Sequence, residues 1–264
     1  MDILTAEEIR RHLTVELSEL EYFPNIDSTN SYLKQKALNG APHGCAAIAD
    51  SQSAGRGRLG RSFQSPSKKG VYLSLLLRPK ETGEALMCAT GMAAVAVCRA
   101  VQRVSNAQPD IKWTNDLILN GKKLAGILAE TVTLGNETAL IIGVGVNVHH
   151  RHEDFLGEVA NIATSLAMEG FPASRAALAA ALIDELYPLS DAPDELIHSY
   201  AEEYRRRCIT LHREVRLVWT EDQKKAVALD IDDAFGLVVR LEDGTMTTVR
   251  SGEVSVRGLY GYAE

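Results

Sequence analysis

Read for its alternation of apolar and polar positions, the chain resolves into elements before any chemistry is considered. Residues 5–20 read as a short charged helix, and 22–26 as a strand. Asp27-Ser28-Thr29-Asn30 then offers short oxygen-bearing side chains that cap a helix N-terminus. That helix runs through Tyr32, Leu33 and Ala37 and stops at Asn39-Gly40, a left-handed ending. Apolar runs at 45–49 and 71–77 predict strands, with a polar loop rich in Gly and Arg between them. Residues 84–104 are apolar all round, as Met92, Val95 and Val97 illustrate, which predicts a largely buried helix. Strand pieces follow at 111–113, 117–119, 124–132 and 139–148, with Asn120-Gly121 as a hairpin signal. Helices are predicted at 173–189 and 191–207. Beyond residue 207 the texture changes to five short strands, at 215–219, 226–231, 237–240, 245–249 and 253–256, with Asp243-Gly244 as a turn. Such spacing predicts a small β-barrel. Two domains are therefore expected, 1–210 and 211–264.

Composition narrows the class. A chain of 264 residues with 45% hydrophobic and 24% charged residues is long enough to bury a core and is not biased toward disorder. The formal net charge of −7 means that the surface as a whole does not attract phosphates, so any anion site is a local device. No apolar run approaches the roughly 18 residues of a membrane-spanning helix, and residues 1–20 lack the apolar stretch of a secretory signal. Cys45, Cys88, Cys98 and Cys208 have no C-x-x-C spacing. Cys88 and Cys98 sit among Ala, Met and Val and read as buried thiols, which fits a reducing cytoplasm.

Candidate chemistry lies in four places. Gly55-Arg56-Gly57-Arg58-Leu59-Gly60-Arg61 packs three arginines and three glycines into seven residues of an acidic chain. Glycine lets backbone approach a ligand, and the guanidinium group suits carboxylate and phosphate oxygens. The loop lacks the G-K-[ST] ending of a Walker A motif and reads as a cationic flap over an anion, or as a solvated loop. Lys112-Trp113-Thr114-Asn115-Asp116 suits a nucleotide and its metal ion, and equally a plain hairpin corner. Lys122-Lys123-Leu124 opens an apolar strand; Lys122 reads as exposed beside the turn, and Lys123 as drawn toward an anion. Gly143-Val144-Gly145-Val146-Asn147 permits a flat ligand against the backbone. No nucleophile with its base is evident. His149, His150 and His152 read as a mobile polar loop rather than a metal site.

Taken together and in this order, the motifs resemble the biotin protein ligase family. The resemblance runs from Phe23 to Tyr260 and includes Asp50-Ser51-Gln52 leading into the flap. It implies an α+β fold: a mixed, mostly antiparallel sheet flanked by helices, with a C-terminal SH3-like barrel. It implies ATP and biotin as substrates with Mg²⁺, and a biotin carboxyl carrier protein domain as partner. Ser28, Thr29, Asn30 and Gln52 are expected to bind biotin's ureido and ring end, with Trp113 lining the pocket. Arg56, Gly57 and Arg58 are expected to close over biotin and the adenylate. Lys123 is expected on the carboxylate and acyl-phosphate. Arg61, Phe63, Asn115, Asp116 and Asn147 are expected at the nucleotide end, with Asp116 holding Mg²⁺ directly or through water.

Two positions depart from the family pattern. Phe63 stands where tryptophan is usual and keeps a flat π-face with less area. Thr114 stands where proline is usual, a change expected to cost rigidity rather than chemistry. The resemblance implies that Arg58, Lys123 and Mg²⁺ offset repulsion between the biotin carboxylate and the α-phosphate, and that the flap shields the anhydride. About twenty residues precede Tyr22, too few for a winged helix, so sequence-specific DNA binding is not expected. Pairing of two copies along a sheet edge is a family expectation that no residue here establishes. A lipoate-protein ligase is the enzymatic rival. An Arg-Gly nucleic-acid-binding module is the other, opposed by the acidic balance and the absence of stacked aromatics near the arginines.

Overall fold

The structure, a computed structural model, describes residues 2–79, 84–135, 137–218, 223–250 and 255–258. Trp219 and Glu253, predicted strand ends, and Tyr260, the end of the family resemblance, lie outside the described residues. Helix α1 covers only Ala6–Arg10, so the helix predicted over 5–20 is corrected. It stops because the amides of Thr14 and Val15 donate to the Asp184 carboxylate at 2.9 and 3.3 Å. Strand β1 (Glu19–Phe23) begins three residues before its predicted start and ends at Pro24, which has no amide to offer a ladder. In α2 (Thr29–Leu38) the Ser28 side chain accepts from the Ser31 amide, and Gly40 follows at φ +80°. Both ends match the capping pattern in the sequence.

The apolar runs become β2 (Cys45–Ala49) and β3 (Gly70–Leu77), buried along their whole length, and the long helix α3 (Glu84–Ser105) follows. Next come β4 (Asp110–Lys112), β5 (Asp116–Leu119), β6 (Lys122–Leu134) and β7 (Glu137–Asn147). Asn120 and Gly121 both have positive φ, as the two-residue turn between β5 and β6 requires. Helices α4 (Val159–Ile162), α5 (Arg175–Leu186) and α6 (Asp194–Arg207) complete this part.

These strands form one sheet in the order β1-β2-β3-β7-β6-β5-β4, in which only β1 and β2 run parallel. Strands buried on both faces need cover on both faces. On β2, Cys45 and Ala47 pack with Leu33 and Ala37 of α2, whereas Ala46 and Ile48 pack in the cluster that holds α3 and α5. The fold is the expected α+β architecture. The five C-terminal strands are β8 (Glu214–Val218), β9 (Gln223–Ile231), β10 (Leu237–Leu241), β11 (Met246–Val249) and β12 (Ser255–Gly258). They pair antiparallel in the order β11-β10-β9-β8-β12. Leu217, Ala228, Phe235 and Leu237 of this second sheet share one hydrophobic cluster with Met92 and Val95 of α3.

The histidine-rich stretch is anchored, not mobile as expected from sequence. His149 pairs with Asp2 at 3.0 Å. His150 is fully buried, stacked on Phe155 with ring centroids 4.9 Å apart. Only His152 of the three is exposed. All four cysteines are buried free thiols.

Candidate functional site

A cavity of about 720 Å³ is formed by β6 and β7, the N-terminus of α2, the flap and the β4–β5 corner. Its polar end is built on α2. Ser28 caps the helix, and Thr29 donates from its amide and hydroxyl to Gln52 Oε1 at 2.9 and 3.2 Å. Asn30 donates to the Leu128 carbonyl at 3.2 Å and to Glu130 at 3.1 Å. Ser74 gives no signal in the sequence because it sits inside an apolar run. Its buried hydroxyl lies 2.7 Å from Thr29 Oγ1 and 2.5 Å from Asn30 Oδ1, so it orients both. Glu130, also missed, ties Asn30 to Lys34 at 3.0 Å and to Arg56 at 3.3 Å.

The glycines of β6 and β7 make the floor. Gly126 faces Gly145 across the ladder. A Cβ at Gly145 would lie 2.5 Å from the Phe63 ring, and one at Gly143 only 2.0 Å from Asn30 Oδ1. Bare backbone here is what admits the aromatic ring and the amide.

The flap is a hairpin rather than an open loop. Gln52 pairs with Ser65 and Arg56 with Ser62. Gly57 N donates to the Arg61 carbonyl at 2.7 Å, and Leu59 and Gly60 both turn left-handed at the tip. Its base is clasped by Asp50, whose carboxylate accepts from Ser67 and from Arg175 at 2.7 Å. Arg175 in turn holds Asp2 at 2.6 Å. Burial pushes the Asp50 carboxyl up, yet the bonds from Ser67 and Arg175 together hold it below its ordinary value.

At the charged end, Lys123 Nζ lies 2.6 Å from Asp116 Oδ1. Arg58 donates to Asn115 Oδ1 at 3.0 Å and to the Thr114 hydroxyl. Burial pushes the Arg58 guanidinium below its ordinary value, and Asp116 pulls it back. Thr114 is therefore more than a looser proline: its hydroxyl holds Arg58, and its carbonyl accepts from Tyr204 at 3.0 Å. The threonine thus adds a contact to Arg58, beside the loss of rigidity expected from sequence. The Trp113 indole lines the cavity and donates to the Phe235 carbonyl at 2.9 Å.

Ser28, Thr29, Asn30, Gln52, Arg56, Gly57, Arg58, Arg61, Phe63, Trp113, Asn115, Asp116 and Lys123 all line the one cavity. Asn147 does not: it is buried at the end of β7 and donates to the Thr164 carbonyl at 3.0 Å. Thr164 N in turn donates to the Lys123 carbonyl at 2.9 Å, so Asn147 braces the segment behind that lysine. Glu158, Val159 and Ile162 of the α4 segment also line the cavity and carried no signal in the sequence. Five cationic side chains (Arg56, Arg58, Arg61, Lys112, Lys123) face two carboxylates (Asp116, Glu158) in a chain that is acidic overall. The arrangement can hold an anion next to a planar group and a polar, uncharged one.

Comparison with known proteins bears on this geometry. Residues 22–147 match the profile of the Biotin/lipoate A/B protein ligase family. The chain is 32% identical to the biotin–[acetyl-CoA-carboxylase] ligase of Mycobacterium tuberculosis, over 89% of its own length and 88% of that protein. The chain belongs to the biotin/lipoate A/B protein ligase family. A biotin protein ligase from Aquifex aeolicus, solved in complex with biotin and ATP, has the same fold at a TM-score of 0.75 and 27% identity. That likeness covers 92% of this chain and all of the other. The bifunctional ligase/repressor BirA of Bacillus spizizenii is 40% identical over 62% of the chain, a match that spans about half (51%) of that protein. Within this ligase family match fall the flap, the glycine floor and the Lys123–Asp116 pair; the α4 segment lies beyond it.

Proposed function

We propose that the protein is an ATP-dependent biotin protein ligase, which forms biotinyl-adenylate and passes biotin to a lysine of a biotin carboxyl carrier domain. The observation that carries this reading is the convergence of Arg58 and Lys123, from separate segments, on one cavity whose far end is lined by Ser28, Thr29 and Asn30. In the first step a biotin carboxylate oxygen attacks the α-phosphorus of ATP, the bond to the β-phosphate oxygen breaks, and pyrophosphate leaves. Two anions must meet. Arg58 and Lys123 offset their repulsion and stabilise charge growing on the phosphate oxygens. In the second step the neutral amine of the carrier lysine attacks the acyl carbon, AMP leaves, and a proton is released. No acyl-enzyme is needed, in keeping with a cavity in whose lining no described residue is a cysteine or histidine.

In this reading Ser28, Thr29, Asn30 and Gln52 take biotin's ureido and ring end, and Trp113 walls the pocket. Arg56, Gly57 and Arg58 close over the ligand, while Arg61, Phe63 and Asn115 serve the nucleotide. Asn147 acts from behind, through the segment that carries Thr164. Among the described residues no cluster of three or more His, Cys, Asp or Glu is built to hold a metal. Of the two carboxylates in the lining, Asp116, beside Asn115 and Lys123, is the one that would hold Mg²⁺, without a cage of protein ligands. When bound, the ion screens phosphate charge.

Residues 1–210 form the catalytic unit in this proposal, and 211–264 an appended module. The cytoplasm is the proposed compartment, on the four buried free thiols. Incubating the protein with ATP, Mg²⁺ and either biotin or lipoate, and identifying the adenylate by mass spectrometry, tests the assignment. Biotinyl-AMP is expected from biotin; an adenylate formed from lipoate alone removes the reading.

A further inference from the structure

The Asp232–Gly236 turn between β9 and β10 reaches the cavity from outside it, by a route that the sequence does not suggest. Phe235 sits at φ +61°, a left-handed backbone that bulky side chains seldom adopt and that needs its surroundings to impose it. Those surroundings are present. The Asp232 carboxylate accepts from the amides of Ala234 and Gly236 at 3.0 and 2.7 Å, and is held by Arg250 at 2.9 Å. Asp232 N donates to the Gly236 carbonyl, and Phe235 N to the Asp232 carbonyl, both at 2.9 Å. The Phe235 ring fills a notch on α3 at Gly91, where a Cβ would lie 2.2 Å from it. It also meets the Tyr204 ring edge-on at 5.4 Å.

Held in this way, the turn aims its Phe235 carbonyl at the indole N–H of Trp113, 2.9 Å away. Trp113 is buried apart from the face it gives to the cavity, and its amide is fixed by Thr210 at 3.0 Å. A second arm leaves the same notch: Tyr204 donates to the Thr114 carbonyl, and the Thr114 hydroxyl accepts from Arg58.

We infer that Phe235 is a positioning residue for the ligase cavity: seated against Gly91, it orients Trp113. The inference rests on the ligase reading for its substrate, biotin, and on geometry alone for the contact. The physical reason is asymmetric. A buried indole N–H that loses its acceptor bears a desolvation penalty, so the ring turns to find another partner and gives up its pose against the ligand. The second sheet thus sets how well the first sheet's cavity holds biotin, although none of its described residues lines that cavity.

Gly91→Ala is the decisive variant, because Gly91 is not a cavity residue and an added methyl expels the Phe235 ring. In the full chain this variant should weaken biotin binding by about tenfold, read as KM for biotin and by calorimetry, while kcat changes by less than about threefold. Phe235→Leu, which keeps an apolar plug of smaller size, should show a milder loss, and serves if Gly91→Ala does not fold. Trp113→Phe, which removes the N–H, should reproduce the loss, and Gly91→Ala added to it should cost nothing more. Unchanged biotin affinity in a folded variant, or losses that multiply in the double variant, would overturn the inference. With Trp219→Phe as background, Trp113 is the sole tryptophan. Its emission should shift to the red and become more quenchable by acrylamide in Gly91→Ala, with no substrate present. An unshifted spectrum sinks the contact. Absence of biotinyl-AMP from the unmodified protein sinks instead the ligase reading, so the two failures are told apart.

Discussion

Lys123 shows how much a single position depends on its neighbours. Its ammonium is held 2.6 Å from Asp116, and its own backbone carbonyl is pinned by Thr164. Lys123→Ala should lower the rate of adenylate formation by at least about a hundredfold, as expected when a preorganised charge is removed from a transition state. Arg58→Ala should keep the fold yet release biotinyl-AMP into solution, seen as biotinylation of bystander lysines; normal retention of the adenylate would make the flap decoration. Gly143→Ala acts on the opposite end. Its Cβ collides with Asn30 Oδ1, so biotin titrations should weaken while ATP binding is spared. His150, far from these roles, carries a pH effect. Burial lowers its value from the ordinary 6.5 to about 4, with Asp154 opposing and Lys69 and His149 adding to the shift. The unfolded chain therefore takes up the proton first as pH falls, and folding stability drains away between pH 6.5 and 4. From pH 7 to 5 the loss should be about 2 kcal/mol in urea unfolding, and should vanish in His150→Phe.

At the scale of elements, the flap answers to its base. Replacing Arg175 by Met leaves Asp50 and Asp2 without their buried cation, and the hairpin should open more often. Trypsin cleavage at Arg56, Arg58 or Arg61 should then quicken several-fold, followed by mass spectrometry; an unchanged rate would disconnect the clasp from the flap. Which elements could be read in advance follows from what holds them. The strand Cys45–Ala49 was legible to the residue because every side chain in it is buried. α2 was legible because its caps are local, at Ser28 and Gly40. α1 was over-read because a carboxylate some 170 positions away, Asp184, ends it. The same contrast separates site residues. Arg58 and Lys123 announce themselves as charges in odd places, whereas Ser74 is a lone hydroxyl in an apolar strand and Glu130 one carboxylate among many. Asn147 carried a motif signal, but its amide turns toward Thr164 rather than into the cavity.

Considered whole, the larger of the two hydrophobic clusters among the described residues passes from α3 into the second sheet through Phe235, Leu217 and Leu237. Unfolding by urea should accordingly give a single transition, coincident by circular dichroism and tryptophan emission. Two separated transitions would show that the sheets stand independently. The same continuity gives weight to Asp2. Asp2 braces Arg175, which braces Asp50 at the base of the flap, so a residue far from the flap in sequence is mechanically joined to it. A change as remote as Asp2→Asn should therefore slacken the flap from its base, and any rate measured with Asp2 disturbed would describe a loosened loop.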